Sequence, residues 1–364
     1  MKTKHLILLA LTGSWLATTA RAQVGVTITG STAFRNITID RAASLYDAGS
    51  LTAITNNAST GLITYAGTMS NSVPSVGVAP VKIRLSFSGS AAGMLSVVNS
   101  TPVTTAESPG VNGSAVPDLA LSDVFPGSAS PPIPDSAVDQ NILGVIPFVY
   151  VRNNALAGIT NITREQAVLL MTASGVATNG TQLVPGMPAS YLGAANNNPI
   201  FMTGRDSGSG TRITTQRCIG FYGNPVLWGT NSSGAYFQYT GYPSGGLERY
   251  VIATKPDAIG YLGLSDTAAI SAFATPISYQ GVTFSPAAVA NGSYALWGYE
   301  HIVNRPVPGG LSANQAAVRD ALIAAITSVA FQTTNPIYTN DFLSLNQMNV
   351  ERGDDGAVIT SKNF

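Results

Sequence analysis

Three short segments gather glycine, serine and threonine where an extended run gives way to a helical one. They are Thr29-Gly30-Ser31-Thr32-Ala33-Phe34, Ser88-Gly89-Ser90-Ala91-Ala92-Gly93 and Arg205-Asp206-Ser207-Gly208-Ser209-Gly210-Thr211. The first turn of a helix leaves backbone N–H groups unpaired, and its dipole end is positive. N–H groups and hydroxyls collected there hold an anion without help from lysine. Taken singly, each turn reads equally as an ordinary helix cap. None is a P-loop, because no Gly-Lys-Ser/Thr occurs.

Two charged residues sharpen the chemistry. Arg205 leads the third turn, and a guanidinium grips a tetrahedral oxyanion with two parallel hydrogen bonds. Asp123 follows the apolar Leu119-Ala120-Leu121. A carboxylate repels an anion unless the ligand carries a proton. Hydrogen phosphate carries one; sulfate does not. Leaving a buried polar group unpaired costs about 1–3 kcal/mol, more when it is charged. A site of this kind therefore discriminates on the ligand's proton.

Covalent chemistry finds little support. His301 is the one histidine outside the first 22 residues, and it lies in the apolar run Trp297 to Ile302. No Gly-x-Ser-x-Gly surrounds Ser90 or Ser209, so neither reads as an activated nucleophile. No His/Asp cluster suggests a metal, and Cys218 is the single cysteine. The chain is expected to be a binder with no enzyme activity and no cofactor.

Lys2, Lys4 and His5 precede an apolar stretch from Leu6 to Ala17, and Ala20-Arg21-Ala22 offers small residues for cleavage before Gln23. This reads as a signal peptide over residues 1–22, placing the mature chain in the periplasm or outside the cell. Gln23 in place of cysteine argues against a lipid anchor. Removing Lys2, Lys4 and Arg21 leaves 15 basic residues against 18 acidic, a net charge of −3. That excludes nucleic acid as a partner, which needs a basic face. Any anion site must be built locally.

The elements that must position these turns alternate. Val24 to Thr29 reads as a strand and Phe34 to Tyr46 as a helix. Val81 to Phe87, Leu119 to Leu121, Ile142 to Arg152, Ile200 to Gly204, Ile259 to Leu264 and Tyr294 to Val303 read as further strands. Ala91 to Val98, Arg164 to Met171 and a segment toward Phe221 read as helices. Thr163-x-x-Gln166 and Ser312-x-x-Gln315 are capping boxes, the second opening a helix to about Phe331. Residues 50–78 read as loop or irregular hairpin, and 99–117 and 223–248 as loops. Alternating strands and helices make an α/β protein.

The Arg205 to Thr211 segment resembles a motif of the phosphate-binding proteins of bacterial ABC importers, Arg-x-Asp-Gly-Ser-Gly-Thr, in register at Arg205, Ser209, Gly210 and Thr211. Gly30 to Phe34 resembles the family's first loop, whose Thr-Phe pair binds phosphate. Gly89-Ser90 resembles its Gly-Ser turn, and Ser122-Asp123 its Ser-Asp. In order, Ile142 to Val151 resembles the family's first inter-domain crossing strand, Thr163 to Gln166 its Leu-Thr-Arg-Glu-Gln helix start, and Ala258 to Tyr261 its Ile-Gly-Tyr return strand. The first loop is one residue shorter, so Thr32 and Ala33 both stand as the donor beside Phe34. Ser207 replaces the Asp that pairs with the family's arginine, and Asp206 is the alternative partner.

The resemblance implies a two-lobed periplasmic binding protein type II fold with two crossing strands as hinge. Lobe one would be residues 23–145 plus 267–364, and lobe two 146–266. Phosphate would sit between Thr32, Ala33, Phe34, Ser90 and Asp123 on one wall and Arg205, Ser209, Gly210 and Thr211 on the other. The protein would act as a monomer that hands phosphate to an ABC permease in the inner membrane. The competing readings are a binder of another oxyanion and a secreted structural or adhesive protein on the same fold.

Overall fold

The β-branched alternation of Val24–Gly30 (β1) forms a strand buried along most of its length. The computed structural model describes residues 22–362 except 59–60, 174–175, 179–181, 185, 330–331 and 333–340. Residues 1–21 of the expected signal peptide lie outside the described residues.

One 11-stranded sheet organises the chain. Its other strands, in chain order, are Thr52–Asn57 (β2), Leu62–Gly67 (β3), Val81–Ser86 (β4), Leu119–Ser122 (β5), Asp139–Asn153 (β6), Met187–Pro188 (β7), Pro199–Met202 (β8), Ala258–Gly263 (β9), Ala274–Pro276 (β10) and Trp297–Asn304 (β11). The spatial order is β7-β8-β9-β6-β11-β5-β1-β4-β3-β2, with β10 also on β6. β1 runs parallel to β4 and β5, and β8 parallel to β9. β6 pairs antiparallel with β11 from Asp139 to Pro147 and with β9 from Phe148 to Arg152. One continuous strand thus belongs to two halves of the molecule.

The sheet is mixed, and helices cover both faces of its parallel strands. They are Arg35–Ser44 (α1), Ser90–Val98 (α2), Arg164–Thr172 (α3), Gly210–Cys218 (α4), Gly245–Thr254 (α5), Leu264–Ala268 (α6), Pro286–Ala290 (α7) and Ala313–Thr327 (α8). Ile28, Ile83, Leu85 and Leu121 of the sheet pack with Ile37 of α1 and Val318, Leu322 and Ile326 of α8. On the opposite face Met94 and Val97 of α2 meet Ala120, Val124 and Val303. Another core joins Val149, Val151, Met202, Ile259 and Leu262 to Leu170 of α3 and Ile252 of α5. Each fully buried Ile or Leu contributes about 1.5–3 kcal/mol relative to exposure. This is the two-lobed α/β architecture expected. Ile270, Ile277, Tyr279, Val289 and Tyr294 share the core of Val149 and Ile259.

Both capping boxes form. Gln166 N donates to Thr163 Oγ1 (3.2 Å) and Thr163 N to Gln166 Oε1 (2.8 Å); Ser312 and Gln315 repeat the exchange. Two loop expectations are corrected. Residues 99–117 contain an antiparallel hairpin, Val103–Ser108 against Val111–Ala115. Residues 223–248 contain a second, Leu227–Thr230 against Tyr236–Tyr239, and the first turn of α5. Residues 50–78 supply the β2–β3 hairpin, which extends the sheet past β4.

Candidate functional site

The three turns converge at the N-termini of α1, α2 and α4. At the end of β1, Gly30 turns with φ +110°, a conformation suited to glycine. A Cβ there would lie 2.0 Å from the Leu121 carbonyl oxygen. Ser31 N donates to that carbonyl (2.7 Å), and Ser31 Oγ accepts from Phe34 N (3.2 Å). Phe34 is fully buried and packs on Phe342, ring centroids 5.2 Å apart. Its side chain anchors the loop, while Thr32 and Ala33 stay partly exposed.

Thr32 and Ala33 meet different neighbours. Arg205 Nη2 donates to Thr32 Oγ1 (3.0 Å). Ala33 Cβ faces Gly263, just before α6, at 3.8 Å from where a Cβ on Gly263 would stand.

Arg205 is almost fully buried. Its Nε donates to the Tyr242 carbonyl (3.1 Å) and its Nη2 also to Pro243 O (2.9 Å), while its backbone N–H reaches Tyr261 Oη (3.3 Å). Asp206 does not take the place of the family's pairing Asp. Its Oδ1 accepts from Gly208 N (3.2 Å), and among the described residues Arg205 has no carboxylate within ion-pair distance. Backbone carbonyls orient the guanidinium instead.

Asp123 and Ser90 are both buried, and Ser90 Oγ donates to Asp123 Oδ1. Asp123 N in turn donates to Ser90 Oγ (3.3 Å). Burial raises the Asp123 carboxyl, while the Ser90 hydroxyl and the Arg205 charge oppose that rise. The pair reaches across to α4: a Cβ on Gly210 would stand 1.5 Å from Asp123 Oδ1 and 2.6 Å from Ser90 Oγ. Ser209 caps α4 and is buried; Thr211 is buried with no hydrogen-bond partner for its hydroxyl. Ala91 N and Ala92 N of α2 donate to the Gly208 carbonyl at 3.1 and 3.4 Å. The second and third turns are therefore in direct contact, and α2 offers fewer free N–H groups than its sequence implies.

All nine sequence-derived residues thus lie in or beside one constellation. Several others there escaped the sequence reading. Arg35, the first residue of α1, is half-buried within electrostatic reach of Arg205, Arg249 and Asp266, and its aliphatic stem packs against Gly61. Glu248 of α5 is fully buried near Arg205, accepts from Tyr261 N (3.1 Å), and is pushed up to about 8 by burial. Glu300 of β11 is also fully buried, beside Asp123. A capping reading of Ser244 to Glu248 would have flagged α5; nothing local marks the other two.

His301 packs edge-on to Phe125 (4.7 Å) and Tyr299 (6.3 Å), and burial lowers it to about 3. It is a neutral packing residue of β11. Among the described residues no group of His, Cys, Asp and Glu could hold a metal ion, and no helix is long and apolar enough to cross a membrane.

No family model and no curated protein matches the chain. Solved structures do. One is a candidate phosphate ABC transporter substrate-binding protein from Clostridium perfringens with bound phosphate. It is 16% identical over 88% of this chain and 100% of that one, with TM-score 0.54. Another is an ABC-type phosphate transport receptor from Vibrio cholerae, 16% identical over 85% and 96%, with TM-score 0.48. The first likeness establishes a shared fold; the second, looser superposition carries none of the argument.

Proposed function

We propose that this protein captures inorganic phosphate between its lobes and has no catalytic role. The observation that carries the reading is the meeting of both walls around one point. Arg205 touches Thr32, and the Ser90–Asp123 pair touches Gly210. A tetrahedral anion there would receive the guanidinium, the Ser209 and Thr211 hydroxyls and the N–H groups of Gly210 and Thr211, with Ser90 donating to Asp123 and Phe34 N to Ser31 behind them. Asp123 would accept the proton of hydrogen phosphate and exclude sulfate. The solved C. perfringens protein, with phosphate bound, supports the same class of ligand.

The lobes would close by flexing of β6 and β11, the strands shared by both cores. Because residues 270–296 pack with the core of β9, the proposed boundary is moved from 266 to near Trp297. Lobe one is then 23–145 with the end of β11 and α8, while Leu343 and Met348 return to the core of β9. Export by a cleaved leader, a monomeric state and delivery to an inner-membrane ABC permease complete the proposal.

Calorimetric titration of residues 23–364 with phosphate and with sulfate tests it. Phosphate is expected to bind and sulfate is not. Arg205→Ala removes a charged donor worth about 1.5–3 kcal/mol per hydrogen bond, a loss of about tenfold to a hundredfold. Asp123→Asn replaces an acceptor by an amide able to donate, so discrimination against sulfate is expected to narrow. Absence of phosphate binding in the unaltered protein would overturn the reading.

A further inference from the structure

Glu300 stands in a position no local pattern explains. It is fully buried, and neither carboxyl oxygen has a hydrogen-bond partner among the described residues. β11 runs antiparallel to β5 with His301 opposite Ser122 and Ile302 opposite Leu121. One step beyond that register, Glu300 comes abreast of Asp123. Residues directly opposite in an antiparallel pair project to the same face, with Cβ atoms about 5 Å apart. The register shift near Glu300 is an extra residue, Leu143, on β6, so β11 keeps its alternation. Gly298, two residues back on that face, has its Cβ position 2.7 Å from the Asp123 carbonyl oxygen. Glu300 thus shares the face that carries Asp123.

Resting on the phosphate reading above, we propose that Glu300 is a specificity-positioning residue: it holds a proton as the neutral acid, and so keeps Asp123 ionised to accept the ligand's proton. Two buried carboxyl groups side by side do not both ionise, and one proton is shared between them. Asp123 has the Ser90 hydroxyl as donor and the Arg205 charge opposite. Glu300 has neither a cation nor a bonded donor; Ser31 is near, but not in hydrogen-bonding geometry. The proton therefore resides on Glu300. Were Glu300 ionised, its charge would favour a protonated Asp123, and a protonated Asp123 could donate to sulfate.

The groups facing this pair are few. From β8 and its following turn comes Arg205, and from the C-terminal segment Asp355, whose Oδ2 accepts from Phe125 N (2.8 Å) and whose charge couples to Asp123. From α4 comes Thr214, whose hydroxyl donates to the Asp123 carbonyl (2.9 Å). β6 presents Gly144 opposite Glu300. His301 on the same strand faces the other way, toward Phe125 and Tyr299.

The test is calorimetric titration of residues 23–364 with inorganic phosphate from about pH 6 to about pH 9, on the unaltered protein and on Glu300→Gln. The unaltered protein is expected to lose up to about tenfold in affinity per pH unit, beyond the ligand's own ionisation, once Glu300 gives up its proton. Gln cannot ionise, so this added slope is expected to vanish in the variant, the ligand's ionisation being common to both. Repeating both titrations in two buffers of different ionisation enthalpy counts protons taken up with phosphate, and the variant's count subtracts those of Glu248 and Asp355, which titrate in the same range. Identical pH slopes and identical proton counts in parent and variant would overturn the role of Glu300 and leave phosphate capture standing. No phosphate binding at any pH would overturn both readings.

Discussion

Gly210→Ala is expected to weaken phosphate binding by about tenfold to a hundredfold. The added methyl would stand 1.5 Å from Asp123 Oδ1 and 2.6 Å from Ser90 Oγ. Those atoms are buried and bonded to one another, so neither moves alone. Overpacking of a filled interior costs about 1–3 kcal/mol, and every 1.4 kcal/mol is tenfold in affinity. Here that cost falls on the approach of α4 to Asp123, which closure requires. Gly210 is the first residue of α4, so the about 1 kcal/mol that alanine gains over glycine in a helix interior applies only in part. Affinity is thus expected to fall further than stability. Thermal melting paired with phosphate titration reads both; a variant that binds like the parent would show that the two walls do not meet as described.

The second large effect concerns pH and stability. Burial raises Glu248 from 4.5 to about 8, and Asp341 and Asp355 from 3.8 to about 7. Each group's folded value lies above its unfolded one. Between those values the folded chain holds a proton that the unfolded chain releases, so stability falls as pH rises. His301 works the other way: its folded value of about 3 lies below 6.5, so stability is lost as pH falls below about 6.5. The two trends oppose each other below about pH 6.5, and above it only the acids remain. Melting temperature is therefore expected to fall between about pH 6.5 and pH 8. Glu248 is fully buried, and its share over that range is on the order of 2 kcal/mol, or a few degrees. Glu248→Gln, which mimics the neutral acid, is expected to flatten that alkaline limb. Parallel melting curves for parent and variant across this range would show that Glu248 does not titrate there.

What the sequence made legible was local. Capping boxes at Thr163 and Ser312 named two helix starts because both partners lie within four residues. The apolar run from Ile142 to Arg152 announced a buried strand, and the resemblance of Ile142 to Val151 to a crossing strand implied that it serves both lobes. The hairpin at 103–115 was read as a loop because much of its alternation is Thr, Ser, Asn and Gly on exposed faces; that at 227–239 carries Leu227, Trp228, Tyr236 and Phe237, but its Asn231 to Gly234 turn dominated the reading. α5 was hidden by Gly245 and Gly246 at its start.

The site divides the same way. The three turns advertise themselves by composition. The partners of Arg205 do not, because the Tyr242 and Pro243 carbonyls come from a segment nearly forty residues on. Asp206 was the local substitute for the missing Asp, and it is used on its own turn instead. A buried acid such as Glu248 or Glu300 has no sequence signature, because its burial depends on strands assembled from distant parts of the chain.

The interleaving of β6 and β11 has a consequence for biogenesis. Lobe one needs β11 and α8, which come after most of the other core in the chain. A growing or translocating polypeptide therefore gathers most of its middle before it can finish its beginning. A fragment ending at residue 266 would leave β5 and the first half of β6 with open edges, a template for aggregation. Supplying residues 267–364 separately should then rescue solubility by complementation, which makes the C-terminal segment the closing piece of assembly.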